Sequence, residues 1–109
     1  MNDKWRLIQE NIKIKFNKKP DLNAVLFLIG IRELGTLQNK FSKEEKTELI
    51  HIAVCKVLSY SGYYKFQKND ERGWPIWKLE KKIPVNGNKE QEILIKNHVI
   101  EYFERENIF

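Results

Sequence analysis

The feature that most constrains the fold is an apolar segment that runs from Leu22 to Leu34. Apolar residues cover every side of the helix that this segment would form, and a helix that is apolar all round has to be buried. Asp21 precedes the segment as an N-cap residue, and Gly35 follows it as a C-terminal stop. The segment therefore predicts a helix over residues 22–34 at the centre of the fold. Gly30 would weaken this helix by about 1 kcal/mol relative to alanine, and we expect it to let a neighbouring backbone approach closely.

Apolar spacing of three and four residues predicts three further helices. With the central one, the four helices span residues 3–16, 22–34, 43–60 and 89–105. The third has the clearest start, because Ser42 and Glu45 have the spacing of a capping box. We expect Asn88 to cap the fourth helix with help from Gln91. We expect its buried face to contain Ile93, Val99, Ile100 and Phe103.

Residues 63–80, between the third and fourth helices, are the least helix-like part of the chain. Two aromatic runs flank a polar turn that ends at Gly73, which predicts a β-hairpin or an ordered loop. Pro75 cannot donate a ladder hydrogen bond, so the second run can form only an edge strand. The predicted fold class is therefore mainly α: one domain over residues 1–109, with four helices in an orthogonal or bundle-like arrangement and a small hairpin or loop before the last.

Length and composition narrow the class of protein. A chain of 109 residues has the length of a single domain. The single cysteine, Cys55, excludes an intramolecular disulfide and fits a reducing cytosol. The longest apolar run, Ala24 to Ile31, is much shorter than the roughly 20 residues that a membrane span needs, and residues 1–10 lack the apolar core of a signal peptide. We expect a cytoplasmic protein that neither crosses a membrane nor carries a cofactor, since no phosphate-binding or dinucleotide motif occurs.

The charge is unevenly distributed along the chain. Residues 1–20 and 63–89 each carry a net charge of +4, while residues 90–109 carry −3. Nucleic acid is therefore a possible partner. However, the chain contains 16 lysines and only 4 arginines, and arginine is the residue best suited to bidentate contacts with phosphates and bases.

An aromatic cluster that overlaps the second basic segment is the main candidate for a binding site. The candidate binding residues are Tyr60, Tyr63, Tyr64, Phe66, Arg72, Trp74 and Trp77. Such residues can pack a hairpin on helices, form the centre of a protein interface, or bind nucleic acid or a small ligand. Alternating residues of a strand point to opposite faces, so some aromatics should be exposed. We expect a non-enzymatic binding or adaptor module for a protein partner, and the alternative is a nucleic-acid accessory protein.

A second alternative is a helical metalloprotein or enzyme. Glu48 and His51 lie three residues apart on one helix, and His98 is the only other histidine, which makes these three residues weak candidates for metal ligands. We expect Glu48 and His51 to be an ordinary surface pair. We expect Cys55, four residues after His51, to be buried and inert. Glu33, on the central helix, should reach solvent or pair with a lysine.

Four short strings resemble a group of small uncharacterised bacterial proteins. They are Leu26 to Gly35, His51 to Cys55, Gly62 to Tyr64 and Gly73 to Pro75. The similarity covers about residues 20 to 80. It implies a bacterial cytosolic protein and indicates no activity or mechanism.

Overall fold

A computed structural model describes residues 2–35, 38 and 40–108. In these residues the chain forms four α-helices, α1 (Asn2–Phe16), α2 (Leu22–Leu34), α3 (Lys43–Leu58) and α4 (Asn88–Arg105), and two strands, β1 (Tyr64–Asn69) and β2 (Pro75–Leu79). The mainly α fold with a hairpin between the third and fourth helices is thus confirmed. The third helix ends at Leu58 rather than at residue 60, because a 3₁₀ turn, Ser59–Ser61, follows it. Within the described ranges, every helix is too short or too polar to cross a lipid bilayer.

Local signals at the helix ends explain where α2 and α3 begin. The Asp21 carboxylate accepts a hydrogen bond from the Ala24 N–H at 2.8 Å. Ser42 and Glu45 form the expected capping box, with hydrogen bonds of 2.8 and 3.1 Å. Gly35 ends α2 with a positive φ of 67°, the left-handed conformation that favours glycine.

The prediction for the start of α4 is wrong. Gly87 is the N-cap residue, and Asn88 is already the first residue of the helix. Gly87 has the extended backbone that a cap position requires, with φ −84° and ψ 149°, and it has no side chain to accept a hydrogen bond. Ile93 is also misassigned, because it is 40% exposed. Leu94 and Ile95 are half-buried and take the contacts with the core that we assigned to Ile93.

Helix α3 packs against the most neighbours, because α2, α4 and both strands contact it, whereas α2, which was expected at the centre, packs mainly on α3. The main core lies between all four helices. It contains Ile8 and Ile12 of α1, Val25, Leu26 and Ile29 of α2, Ala53, Val57 and Leu58 of α3, and Val99, Ile100, Tyr102 and Phe103 of α4. The expected close approach at Gly30 is confirmed. A Cβ atom at this position would lie only 2.8 Å from the carbonyl carbon of Leu49, so glycine lets α2 and α3 pack backbone to backbone.

A second, smaller core holds the hairpin against the helices. Leu49, Ile52 and Trp74 are buried together, and Phe27, Ile31, Leu34 and Phe41 pack around them. The strands are antiparallel, and Tyr64 lies opposite Leu79, Lys65 opposite Lys78 and Phe66 opposite Trp77. A bulge between Phe66 and Lys68 shifts the register before Pro75, which begins β2 as expected of an edge strand.

Candidate binding surface on the hairpin

The turn of the hairpin is organised by Asp70. Its carboxylate accepts hydrogen bonds from the backbone N–H groups of Arg72 at 2.8 Å and of Trp74 at 3.0 Å. Its own backbone N–H donates to the Trp74 carbonyl at 2.8 Å. Gly73 supplies the positive φ of 86° that the turn needs. The polar residues between the two aromatic runs therefore build the turn and give Trp74 a fixed position.

Arg72 holds this turn on helix α3. Its guanidinium donates to both oxygens of Glu48, at 3.2 and 2.5 Å, and to Asp70 at 2.7 Å. It also lies over the Trp74 ring, 4.2 Å from the ring centroid. These hydrogen bonds, with Glu48 as the largest cause, raise the pKa of Arg72 above its ordinary value. Arg72 was predicted to contact a partner, and this stays a prediction: four of its five N–H donors bind Glu48 and Asp70, while its side chain is 47% exposed.

We expect the protonation of Asp70 to destabilise the fold in acid. The hydrogen bonds from the Arg72 side chain and from the backbone N–H groups of Trp74 and Arg72 lower the pKa of Asp70 below its ordinary value of 3.8. Because the folded pKa is the lower one, the stabilisation is complete above the unfolded pKa and is lost as the pH falls through the folded pKa. Urea unfolding between about pH 2 and about pH 5 should therefore show a weaker acid dependence in Asp70→Asn than in the wild type.

Glu71→Gln is the matched control for that experiment, because Glu71 is the exposed carboxylate next in the chain. It should follow the wild type across the same pH range. Equal acid dependence in wild type and Asp70→Asn would show that the contacts of Asp70 do not stabilise the turn.

The structure divides the six predicted aromatics into three groups. Trp74 is buried, with 5% of its surface exposed. Tyr60, Tyr63, Tyr64 and Trp77 are half-buried. Phe66 is 47% exposed, so the prediction that some aromatics face solvent holds for this residue. The six aromatics therefore do not form one continuous surface.

Cations cover two of the half-buried rings. The Arg105 guanidinium lies 4.3 Å from the centroid of Tyr60, and the Lys81 ammonium lies 4.8 Å from that of Tyr63. Burial raises the pKa of Tyr60 to about 12, so this hydroxyl stays protonated at neutral pH. Rings covered in this way are poorly placed to stack on a base or on a partner's side chain.

Two large side chains, Phe66 and Leu79, form the exposed apolar surface of the hairpin. Leu79 is 53% exposed, and the strand register puts it on the same face as Phe66. Trp77 packs edge to face on Phe66 with ring centroids 5.7 Å apart. On the opposite face Lys65 lies across from Lys78, a pair of like charges that favours an anionic neighbour. Phe66 and Leu79 form what we call the hairpin patch.

A crevice opens beside the hairpin patch, where the end of α2, helix α3 and the hairpin meet. Its volume is about 350 Å³, and it is lined by Phe66 and Trp77 on the hairpin and by Glu33 and Lys56 on the helices, among others. The Glu33 carboxylate accepts a hydrogen bond from the Tyr102 hydroxyl at 2.7 Å and lies 3.8 Å from the Lys56 ammonium. Glu33 thus pairs with a lysine, as expected.

Sequence reasoning missed the role of Tyr102. The residue is fully buried, and its hydroxyl joins Glu33 to Arg32, which donates to it at 2.8 Å. Burial and the hydrogen bond to Glu33 raise the pKa of this tyrosine above its ordinary value. A signal was available, because Tyr102 lies three residues after Val99 and so faces the same side of α4.

The three weak candidates for metal ligands are not brought together. Glu48 binds Arg72. His51 is exposed, and its Nε2 lies 3.4 Å from the Cys55 sulfur. His98 is buried, with Nδ1 2.8 Å from the Leu94 carbonyl and Nε2 2.7 Å from the Ser61 hydroxyl. No group of three His, Cys, Asp or Glu residues that could hold a metal ion occurs in the described part of the chain.

Cys55, the single cysteine, is poorly placed for nucleophilic catalysis. Cys55 is fully buried, and burial raises the pKa of its thiol to about 12. A thiol that remains protonated at neutral pH is a weak nucleophile, even with His51 beside it. The arrangement agrees with the expectation that Cys55 is a buried, inert residue.

Comparison with known proteins gives no relative from which a function could be transferred: no family model, no curated protein and no solved structure matches this chain. The resemblance of residues 20 to 80 to small bacterial proteins therefore stays a prediction.

Proposed function

We propose that the protein is a non-enzymatic binding module that docks a protein partner on the hairpin patch. The observation that carries this proposal is the exposure of two large apolar side chains, 47% for Phe66 and 53% for Leu79, on one face of a rigidly anchored hairpin. An exposed apolar pair at the rim of a folded core resembles the centre of a protein interface. A partner that covered both side chains would remove them from water.

The charge around the patch favours an acidic partner. The exposed lysines on the hairpin and on the segment after it are Lys65, Lys68, Lys78, Lys81 and Lys82. Lys65 and Lys78 lie on the face opposite the patch, so they act on a partner through the overall charge of the hairpin and not by direct contact at the patch. Residues 63–89 carry a net charge of +4. Complementary charge speeds association and selects among partners more than it adds affinity. In this proposal Phe66 and Leu79 supply affinity, the lysines select the partner, and Arg72 and Trp74 maintain the fold.

A nucleic-acid accessory protein is the second candidate function. The exposed pair Lys65 and Lys78 favours it, because two cations facing each other across the strands could contact phosphates. The covered rings of Tyr60 and Tyr63 and the occupied guanidinium of Arg72 weaken it. This candidate requires affinity for nucleic acid that falls steeply with salt.

The cytoplasm is the compartment we propose for this module. Cys55 is a free, buried thiol, and one unpaired cysteine in a lysine-rich chain is typical of a protein from a reducing compartment. The same compartment would supply both acidic proteins and nucleic acids as partners.

The proposal is tested by replacing the two exposed residues of the hairpin patch while the buried residues of the core stay unchanged. We expect Phe66→Ser with Leu79→Ser to lower the affinity for the partner at least tenfold, since interface residues of this size are worth about 1 to 2 kcal/mol each. The partner is first recovered with the tagged protein from its native cell and is then titrated against each purified variant. The 260/280 nm absorbance ratio of the recovered material identifies nucleic acid.

Leu7→Ser is the matched control, because Leu7 is 57% exposed and lies on α1, outside the hairpin. It should leave partner affinity unchanged, and all variants should keep the circular dichroism of the wild type. A folded double variant that binds its partner as tightly as the wild type would overturn the proposal.

A further inference from the structure

The crevice beside the hairpin contains a charge pair whose polar atoms are only partly used. Glu33 Oε2 accepts the hydrogen bond from Tyr102, but Oε1 accepts none of the hydrogen bonds found among the described residues. The Lys56 ammonium lies 3.8 Å from Oε1, too far for a hydrogen bond, and donates none in the same part of the chain. An acceptor and a set of donors therefore stand side by side.

These two groups are partly withdrawn from water. The exposed fractions of the Glu33 and Lys56 side chains are 22% and 28%. The two residues come from different helices that the Gly30 contact and the main core hold in place. The pair is consequently positioned before a ligand arrives, which lowers the entropic cost of binding.

The hairpin gives the crevice an aromatic side. Phe66 and Trp77, which line it, pack on each other across the strands. Phe66 is 47% exposed, so a flat group could cover part of its ring. The volume of about 350 Å³ lies at the lower end of the range for small-molecule sites. Aromatic side chains and convergent polar groups both occur in such sites, and the lining of this crevice is more polar than is usual for them.

A ligand of the crevice has to offer a donor to Glu33 Oε1 and an acceptor to the Lys56 ammonium, and it has to fit against the aromatic side formed by Phe66 and Trp77. A zwitterion such as a free amino acid could match both charges, but two charged groups would lose hydration in a partly buried site. A nucleobase is neutral and flat, and its edge carries an N–H donor next to a carbonyl or ring-nitrogen acceptor. We infer that the crevice binds a nucleobase, with its donor on Glu33 Oε1, its acceptor on Lys56 Nζ and its ring against Phe66.

This inference does not depend on the proposed protein partner, because it concerns the purified chain and a small molecule. The probe is guanosine, whose N1–H and O6 are adjacent. Calorimetric titration should show one saturable site. Caffeine has the same purine ring system but no N–H donor, so it should bind at least tenfold more weakly. Leucine, a zwitterion without a flat ring, should not compete.

Substitutions identify the crevice as the site. Lys56→Met keeps the length and apolar stem of the side chain, and Glu33→Gln keeps an acceptor for Tyr102. Each should weaken guanosine binding at least tenfold while thermal unfolding shows an intact fold. Lys46→Met, at an exposed position of the same helix, should bind like the wild type.

A single-stranded oligonucleotide separates the two sources of a nucleobase. If the oligonucleotide binds more tightly than guanosine, and if Lys56→Met loses this binding, the natural ligand is a base within a nucleic acid. If the oligonucleotide binds equally or more weakly than guanosine, the natural ligand is a free nucleoside. The inference is wrong if guanosine does not saturate the wild type, if caffeine or leucine binds as well as guanosine, or if folded Lys56→Met keeps the wild-type affinity.

Discussion

Replacing Gly30 with alanine should destabilise the protein by about 3 kcal/mol or more, at the upper end of the range for overpacked cores. The direction is opposite to helix propensity, which favours alanine over glycine by about 1 kcal/mol. The added methyl group would lie 2.8 Å from the carbonyl carbon of Leu49 and 3.0 Å from its Cβ. Backbone atoms of α3 cannot swing aside as the end of a flexible side chain can. Helices α2 and α3 would have to separate through a core in which Leu49 is fully buried.

Urea unfolding followed by circular dichroism measures this effect. Gly87→Ala is the control, because a Cβ atom there would meet its nearest neighbour, Glu90 Oε2, at an ordinary 3.5 Å. As Gly87 is the N-cap of α4, that substitution should cost no more than about 1 kcal/mol. If Gly30→Ala were as stable as the wild type, the close packing of α2 on α3 would be wrong.

The helices could be predicted because their signals are local. The cap of α2 depends on Asp21 and Ala24, three residues apart, and the capping box of α3 depends on Ser42 and Glu45, with the same spacing. At the start of α4, the sequence indicated Asn88 as the N-cap, but Gly87 takes that position. Backbone conformation decided between them, and composition alone does not specify it. The burial of each residue on α4 depends on contacts with distant segments, which explains the error at Ile93.

The sequence indicates where the candidate site lies, but it does not show which of its residues support the fold and which face a partner. The density of aromatics pointed to the hairpin, whereas the burial of each ring depends on which face of the hairpin meets α3. The partner of Arg72 is Glu48, 24 residues earlier in the chain, and the partner of Glu33 is Tyr102, 69 residues later. Pairs so distant in sequence come together only through the tertiary fold. The sequence consequently does not indicate the crevice, although Glu33 is a carboxylate on a mainly apolar helix.

Trp74→Ala should be the second severe substitution and should cost about 3 to 5 kcal/mol, the range for a large aromatic residue removed from a core. Trp74 is 5% exposed and packs with Leu49 and Ile52. Without the indole ring, the Arg72 guanidinium would also lose the surface that it covers at 4.2 Å. Since the small core is what attaches the hairpin to the helices, the cavity would loosen the whole hairpin. Urea unfolding should give a much lower midpoint than the wild type.

Phe66→Ala is the comparison that separates the fold from the binding surface. Phe66 is 47% exposed, so its truncation should cost less than about 1 kcal/mol of stability. Both changes should weaken binding at the hairpin, but for different reasons: Trp74→Ala by loosening the hairpin, and Phe66→Ala by removing a contact from an intact one. Equal stability of Trp74→Ala and the wild type would place Trp74 on the surface, and a large loss in Phe66→Ala would place Phe66 in the core. Either result would reverse the roles that the structure assigns to these two rings.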